Sequence, residues 1–269
     1  MNAKTTHFII GCGYLGKQLL TLLGNQICFF TTRSPPSNPH SIFIDINNRD
    51  SWDNLRVLSE EQGLVIYFMV PPSQIDLKIF PEFLKKLSKL KIQRCVLVSS
   101  TVVYGNSDRV VDADSKVEID NERAQRQYQI EQEWIVNLNN AFIVRLAGIY
   151  GPKRIIGKTQ IMQSEAIKGD PDGWLNLIHV DDAANLLKRG CELEQPEQIE
   201  LGCDGTPIKR KEYYNFLAKQ LNQDSANFSQ NVTSRGTGRR CDNKITIERT
   251  GWQPQYTDFR QALVKLINI

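Results

Sequence analysis

Phe8-Ile9-Ile10-Gly11-Cys12-Gly13-Tyr14-Leu15-Gly16 decides how this chain is read. The apolar run His7 to Ile10 reads as a strand, and Leu15, Leu19, Leu20, Leu22 and Leu23 follow it at helical spacing. Three glycines fall on the turn between them. In such a strand–turn–helix the first glycine permits a tight turn. The second removes the Cβ that would hold the backbone away from a pyrophosphate, and the third lets helix and strand pack closely. The helix start adds N–H groups with no partner inside the helix, which favour an anion. Gly11, Gly13, Tyr14, Leu15 and Gly16 are therefore a candidate phosphate cradle; the plain alternative is a structural turn of the same composition.

Outward from this stretch, short apolar runs alternate with amphipathic ones. Gln26 to Phe30, Ser41 to Ile44, Leu64 to Phe68, Arg94 to Val98 and Ala141 to Arg145 read as strands. Each is nearly continuous in apolar residues, as a strand buried on both faces must be. Helical patterns lie between them: residues 79–90, with Ile79, Phe83, Leu84, Leu87 and Leu90, and Arg123 to Leu138, with Ile130, Trp134 and Leu138 on one stripe. Alternating strand and helix predicts an α/β fold with a parallel sheet covered on both faces. Further on, helices are expected at Gln160 to Lys168, Asp181 to Leu193, Lys211 to Leu221 and Asp258 to Ile267, with a strand at Gln198 to Leu201 and a loop from Asn222 to Asn243. Residues 1–150 form the expected core, completed by segments near 175–202. Residues 151–269 form mostly a small lobe that is not an independent domain.

Composition narrows the function. The chain has 269 residues, 41% hydrophobic and 23% charged, with Lys+Arg 33 against Asp+Glu 30. A net charge of +3 gives no electrostatic footprint for nucleic acid and no polybasic membrane arm. The longest apolar run, Leu64 to Val70, is far short of the roughly 20 residues a bilayer span needs. The uninterrupted apolar run before Gly11 is only three residues, Phe8 to Ile10, so the start does not read as a signal peptide and a cytoplasmic location is expected. The cysteines at 12, 28, 95, 191, 203 and 241 have neither Cys-x-x-Cys nor zinc spacing; free thiols and no metal site are expected.

The end of the second strand addresses which dinucleotide. An acidic residue about 20 positions after the glycines would bond the ribose hydroxyls of NAD. The chain instead reads Phe29-Phe30-Thr31-Thr32-Arg33-Ser34, with no carboxylate. Thr32, Arg33 and Ser34 can donate to a 2′-phosphate, so NADP is preferred over NAD; the alternative is a solvated surface arginine. Asp45, after the third strand, is placed to meet the adenine amino group or is a plain loop carboxylate. Val70, Pro71 and Ser99, after the fourth strand and near the end of the fifth, complete this side of the candidate cofactor site.

Four segments together are more specific than the glycines alone: the glycine motif, Val98-Ser99-Ser100-Thr101-Val102-Val103-Tyr104-Gly105, Arg145-Leu-Ala-Gly-Ile-Tyr-Gly-Pro152, and Ile178-His-Val-Asp-Asp-Ala183. In order and spacing they resemble the NAD(P)-dependent epimerase/dehydratase family, the extended and atypical short-chain dehydrogenase/reductases. The likeness runs on to Arg240-Cys-Asp-Asn243 and Gly251-Trp252-Gln-Pro254. It implies a Rossmann fold, a doubly wound parallel sheet with a small C-terminal substrate lobe. It also implies that Ser100 hydrogen-bonds the reacting oxygen, a sensible place for a hydroxyl aimed at a developing oxyanion. A turn serine bonded to its own backbone is the alternative. Thr101 sits where dehydratases of the family keep an acid. Ala147, Gly148 and Ile149 line the nicotinamide side through backbone groups. His179, ahead of a helix, is mainly structural in the family, with general base the lesser reading. Lys153 and Arg154 meet an anionic substrate or lie in a solvated loop.

The chain departs from that family at its catalytic pair. Tyr-x-x-x-Lys stands eight and four residues before a glutamate; counted back from Glu131, the positions hold Arg123 and Gln127. The tyrosine works as an acid–base because the neighbouring lysine lowers its pKa. Arginine stays protonated, and glutamine carries no charge. Tyr104 and Tyr150 are the phenols left near the pocket; both also serve as packing or cofactor-cradling residues, and Tyr104 joins Ser100 and Thr101 as a catalytic candidate.

Two functions compete. One is an NADP-dependent oxidoreductase or epimerase/dehydratase-like enzyme on a small polar molecule, such as a nucleotide sugar, with an unconventional proton donor. The other is a non-catalytic NADP(H)-binding redox sensor. Helices 76–91 and 121–138 offer faces for a homodimer.

Overall fold

The computed structural model describes residues 5–33, 38–194, 198–229 and 238–267. Ser34 lies outside them. The elements in the first half are β1 (Thr6–Ile10), α1 (Tyr14–Leu23), β2 (Ile27–Thr32), β3 (Ser41–Phe43), β4 (Leu64–Phe68), α2 (Phe80–Leu87), β5 (Ile92–Ser100), β6 (Val110–Val111) and α3 (Glu122–Asn137). There follow β7 (Ala141–Leu146), β8 (Gly148–Tyr150), α4 (Lys158–Met162), β9 (Trp174–Leu175), β10 (Leu177–His179), α5 (Val180–Glu192), β11 (Ile199–Gly202), β12 (Ile208–Lys209), α6 (Arg210–Gln220), β13 (Arg240–Cys241), α7 (Lys244–Thr250) and α8 (Phe259–Ile267).

The predicted α/β architecture is present. One seven-stranded sheet has the order β11-β7-β5-β4-β1-β2-β3. β1 pairs in parallel with both β2 and β4, Ile9 facing Phe30 on one side and Tyr67 on the other. The order reverses at β1/β4, the topological switch point of a doubly wound sheet, where crevices open beyond the strand ends. The glycine turn leaves β1 at that point.

The chain forms two compact units, each assembled from separate segments: Met1–Ser100, Gln125–Arg145 and Ala184–Glu200 in the first; Thr101–Ala124, Leu146–Ala183 and Leu201–Ile269 in the second. In the first unit, alternate residues of the central strands, Phe8, Ile10, Ile66, Phe68 and Leu97, pack against Trp52, Phe83, Leu84 and Trp134. The Phe68 ring lies 5.3 Å from Trp134 and 5.5 Å from Phe80, centre to centre. The second unit has its own core, in which Tyr150, Leu177, Tyr213, Leu217 and Phe259 are buried together.

Two stretches differ from the sequence reading. The helix expected at Gln160 to Lys168 spans only Lys158–Met162. Ser164 takes a left-handed φ of 54°, and the backbone of Ile167 bonds to Asn227 and Ser229 in an isolated bridge, so the apolar Ile167 is buried as extended chain. Within the expected loop 222–243, Arg240–Cys241 forms β13 beside β6, while residues 230–237, including Gly236, lie outside the described part. The 3-10 helix Arg49–Leu58 and helix α7 were not anticipated. Among the described residues no helix is long and apolar enough to cross a membrane.

Candidate functional site

The glycine turn is built as a cradle. Gly11 has φ +88°, and a Cβ there would meet the Val70 nitrogen at 2.9 Å, so β1 and the end of β4 are in contact through the missing side chain. At Gly16 a Cβ would meet Met69 Sδ at 3.1 Å and Ile9 Cγ2 at 3.3 Å, which ties α1 onto the sheet. Gly13 is the opposite case: a Cβ would face open space, its nearest neighbour being the Gly11 carbonyl at 3.9 Å. Gly13 is exposed and caps α1; no side chain caps that end, and its first turn carries no acid. These features fit a dinucleotide pyrophosphate approaching along Gly13 and the α1 N-terminus. The Gly11 N–H donates to Thr31 Oγ1 at 3.0 Å. The sequence reading overlooked Thr31 in favour of its neighbour; strand alternation would have pointed it at the turn.

Thr32 is half-buried and its carbonyl accepts from Ile44 N at 3.2 Å, while Arg33 is exposed at the strand end. The parallel register Thr32↔Phe43 brings Arg33 and Asp45 to adjacent strand ends. Asp45 is held tightly: Oδ1 accepts from Asn47 N at 2.9 Å, and its carbonyl accepts from Trp52 Nε1 at 3.1 Å. One carboxylate oxygen is thus occupied in an Asx turn. Val70 is half-buried against Gly11, and Pro71 is exposed.

Ser99 is buried, and its hydroxyl donates to Glu131 on α3. Glu131 also accepts two bonds from Arg145 on β7, Nε to Oε1 at 3.1 Å and Nη2 to Oε2 at 2.7 Å. The Ser99 proton is committed to this network. On α3, Arg123 is exposed and Gln127 is buried one turn further on.

Ser100 ends β5 and Thr101 opens the 3-10 helix Thr101–Tyr104. Thr101 and Tyr104 are buried, Tyr104 completely. The Tyr104 carbonyl accepts from Arg109 Nη2 at 3.1 Å, and Arg239 Nη1 donates to the Gly105 carbonyl. A ligand reaching the Tyr104 phenol requires a neighbour to move.

The N–H groups of Ala147 and Gly148 are spent on the Gly202 and Asn176 carbonyls, both at 2.9 Å, and β8, with Ile149 at its centre, pairs with β10. At the end of β10, His179 stacks on Tyr256 at 3.8 Å and meets the Tyr150 ring edge-on at 5.2 Å. Burial lowers its pKa against the opposing charge of Asp181, so the imidazole is held neutral. Asp182 accepts from the N–H groups of Gln255 and Tyr256 at 2.7 and 2.9 Å, and its carbonyl accepts from Trp252 Nε1 at 3.0 Å. His-Val-Asp-Asp and Gly-Trp-Gln-Pro are therefore two halves of one docking contact, as fits a structural role. Asp204, whose N–H donates to the Leu177 carbonyl, has its pKa raised to about 7, chiefly by burial. Lys153 and Arg154 are exposed in the turn closed by Gly151 and Arg154.

No protein-family model and no curated protein matches the chain. Solved structures do. UDP-glucose 4-epimerase from Thermotoga maritima, in a structure with UDP-glucose, aligns at TM-score 0.81 and 15% identity over 98% of this chain and 97% of that one. UDP-glucuronic acid 4-epimerase from Bacillus cereus, with a fluorinated UDP-glucuronic acid and NAD, aligns at 0.78 and 17% over 98% and 99%. dTDP-glucose 4,6-dehydratase from Bacillus anthracis, with NAD, aligns at 0.77 and 13% over 98% and 96%. The chain has the Rossmann-type fold of the epimerase/dehydratase structures from end to end, and at these identities the likeness speaks for the fold.

Proposed function

We propose that this protein is an NADP(H)-binding enzyme of epimerase, dehydratase or reductase type acting on a small polar substrate, with a nucleotide sugar the leading class. The observation that carries it is the Gly11–Gly13–Gly16 cradle at the sheet's switch point, with α1 free of acids in its first turn. Gly11, Gly13, Tyr14, Leu15, Gly16 and Val70 would hold the dinucleotide's phosphates and Asp45 its adenine. Thr32 and Arg33, with no carboxylate after β2, favour the 2′-phosphate. The bound dinucleotide would supply hydride chemistry. Ser100 and Thr101 would orient a substrate oxygen. The structures of similar fold that contain UDP-sugars and NAD support the class of ligand.

A thermal-shift panel of NAD, NADH, NADP and NADPH, followed by nucleotide sugars on the best of them, tests this. A ligand that binds the folded chain raises its apparent stability by mass action. NADPH should give the largest shift, and no shift from any of the four would sink the reading. A second reading, a non-catalytic NADP(H) sensor, is favoured by Arg123 and Gln127 at the family's catalytic positions and by the complete burial of Tyr104. Tight cofactor binding with no turnover on any carbonyl or nucleotide sugar would select it.

A further inference from the structure

The wall beside the glycine turn is the start of the segment that follows β4. Met69 N donates to the Ile10 carbonyl at 2.9 Å, so the strand pairing continues to the edge of the turn. Val70 comes next and fills the space a Gly11 side chain would take, its nitrogen 2.9 Å and its Cγ2 3.0 Å from that point. The chain then runs through Pro71 and the 3-10 helix Pro72–Gln74 to Ile75, which is buried in the core of the first unit. Two turn bonds come from the segment's own backbone, Gln74 N to the Pro71 carbonyl at 2.9 Å and Ile75 N to the Pro72 carbonyl at 3.1 Å. Apart from Ile75, residues 71–76 are exposed or half-buried.

Two side chains from other elements grip this segment. Asn47, two residues past Asp45, donates from Nδ2 to the Gln74 carbonyl at 2.7 Å, and its Oδ1 accepts from Asp76 N at 2.9 Å. Asn47 is itself held, because its N–H donates to Asp45 Oδ1 at 2.9 Å. From α3, Arg126 donates from Nε to the Pro72 carbonyl at 2.9 Å and from Nη2 to the Ile75 carbonyl. Four backbone groups between Pro72 and Asp76 are thus bonded from two sides. A side chain that bonds an exposed loop gives up rotamer freedom for a bond that water could also make, so each adds little to the stability of the fold. What the four do together is fix where the wall stands. The Arg126 bonds go to neutral carbonyls, so the fork of the guanidinium, rather than its charge, sets the geometry.

We infer that Asn47 and Arg126 are positioning residues for the dinucleotide: they hold Val70 and Pro71 against the glycine turn before a ligand arrives, so that binding does not have to order this wall. Ordering a loop on binding lowers affinity, and a wall held in advance avoids that loss. The inference rests on the cofactor reading above and adds two residues that act on the cradle through the backbone of residues 72–76. Asn47 is exposed and Arg126 half-buried, so neither is a core residue whose loss would collapse the sheet.

The test is calorimetric titration of the full chain with NADPH, well below the thermal midpoint, joined to amide hydrogen exchange at Gln74, Ile75 and Asp76 with and without NADPH. Asn47→Ala and Arg126→Ala should each raise the dissociation constant about tenfold, the scale of a short loop that must be ordered on binding. Arg126→Lys keeps the charge but not the fork, and should recover little of that loss. Arg49→Ala breaks an exposed ion pair with Glu82 and should bind as wild type does. In the ligand-free alanine variants the three amides should exchange faster, and saturating NADPH should slow them again; in wild type NADPH should change them little. A role in stability alone would lower the midpoint and leave the affinity as it was. Unchanged NADPH affinity in both alanine variants, or full recovery by Arg126→Lys, would overturn the inference. A wild type that binds no dinucleotide would sink the cofactor reading and this inference together, whereas equal binding by wild type and variants would sink this inference alone. Should Arg126→Ala fail to fold, Asn47→Ala, at an exposed position, decides by itself.

Discussion

Arg145 closes on Glu131 through two parallel hydrogen bonds of 3.1 and 2.7 Å, the two side chains 3% and 1% exposed, and Ser99 completes the carboxylate from β5. Helix α3 is thereby fixed to two sheet strands by one buried charge pair. Removing one partner leaves the other charge uncompensated in the core, which typically costs about 3–5 kcal/mol. Glu131→Ala and Arg145→Ala are each expected to lower the unfolding free energy by that amount, read as a lower urea midpoint with little change in slope. Ser99→Ala should cost less, about 1.5–3 kcal/mol for a bond to a charged group. Equal midpoints for wild type and Arg145→Ala would show that the pair does not anchor α3.

The two glycines of the turn should fail in different ways. At Gly13 a side chain meets open space, so Gly13→Val is expected to leave the thermal midpoint within a few degrees of wild type and to abolish dinucleotide binding. At Gly11, φ +88° and the Val70 nitrogen at 2.9 Å put the strain in the fold itself, so Gly11→Ala should lower stability before any ligand is added. Calorimetric titration with the preferred cofactor separates them; undiminished affinity in Gly13→Val would remove the cradle from its proposed place.

NADP(H) is expected to bind more tightly than NAD(H), and Arg33→Ala to narrow the gap. A charge-assisted bond to the 2′-phosphate is worth about 1.5–3 kcal/mol, roughly a tenfold or larger change in the ratio of dissociation constants. Arg33 is exposed, so the substitution should not touch the fold. Equal affinities for NAD and NADP in wild type would refute the preference.

Two opposing pH trends should meet on the acid side of neutrality. Asp204 is raised from an ordinary value of 3.8 to about 7 by burial, with Asp182 and Asp258 adding repulsion. The folded state therefore holds its proton more tightly than the unfolded chain. Stability is lost as pH rises from about 4 through 7, by up to about 4 kcal/mol. His7 and His179 are lowered by burial, so they contribute the opposite trend, a loss as pH falls below 6.5. Asp204→Asn, which keeps an oxygen for the Thr206 N–H, should remove the loss between about pH 4 and 7 and leave the opposite trend of the histidines. An unchanged loss across that window in urea titrations of this variant would assign it to another group.

The parallel sheet was legible because β1, β4 and β7 read as nearly continuous apolar runs, and α1 because its leucines hold helical spacing. The turn's chemistry was legible from three glycines, since each replaces a Cβ that backbone sterics forbid or that a ligand displaces. The pairing of Ser99, Glu131 and Arg145 was not: it joins residues far apart in sequence, and Glu131 served only as a landmark for counting. Asp204 gave no signal either, because its altered proton affinity comes from burial that only the tertiary fold creates. The missing helix end after Met162 shows the same limit. Residues 163–168 keep helical periodicity, yet the backbone of Ile167 finds better partners in Asn227 and Ser229.

Restoring the family's pair separates the enzyme from the sensor. Arg123 and Gln127 stand one turn apart on α3, the first exposed and the second buried. In Arg123→Tyr/Gln127→Lys, the lysine lies on the same helix face as the tyrosine, and its charge lowers the phenol's pKa. Burial at position 127 lowers the lysine's own pKa as well. Circular dichroism of the double variant should show no loss of helix. General acid catalysis is worth about a hundredfold or more, so NADPH oxidation with reactive model carbonyls should rise clearly above wild type. Wild type should show little turnover on the same carbonyls. Brisk wild-type reduction would mean that another group already donates the proton, and Ser100→Ala and Tyr104→Phe would locate it. Tight NADPH binding with both proteins inert would move the conclusion to the sensor, because the cradle would then hold a cofactor that the rest of the chain does not use.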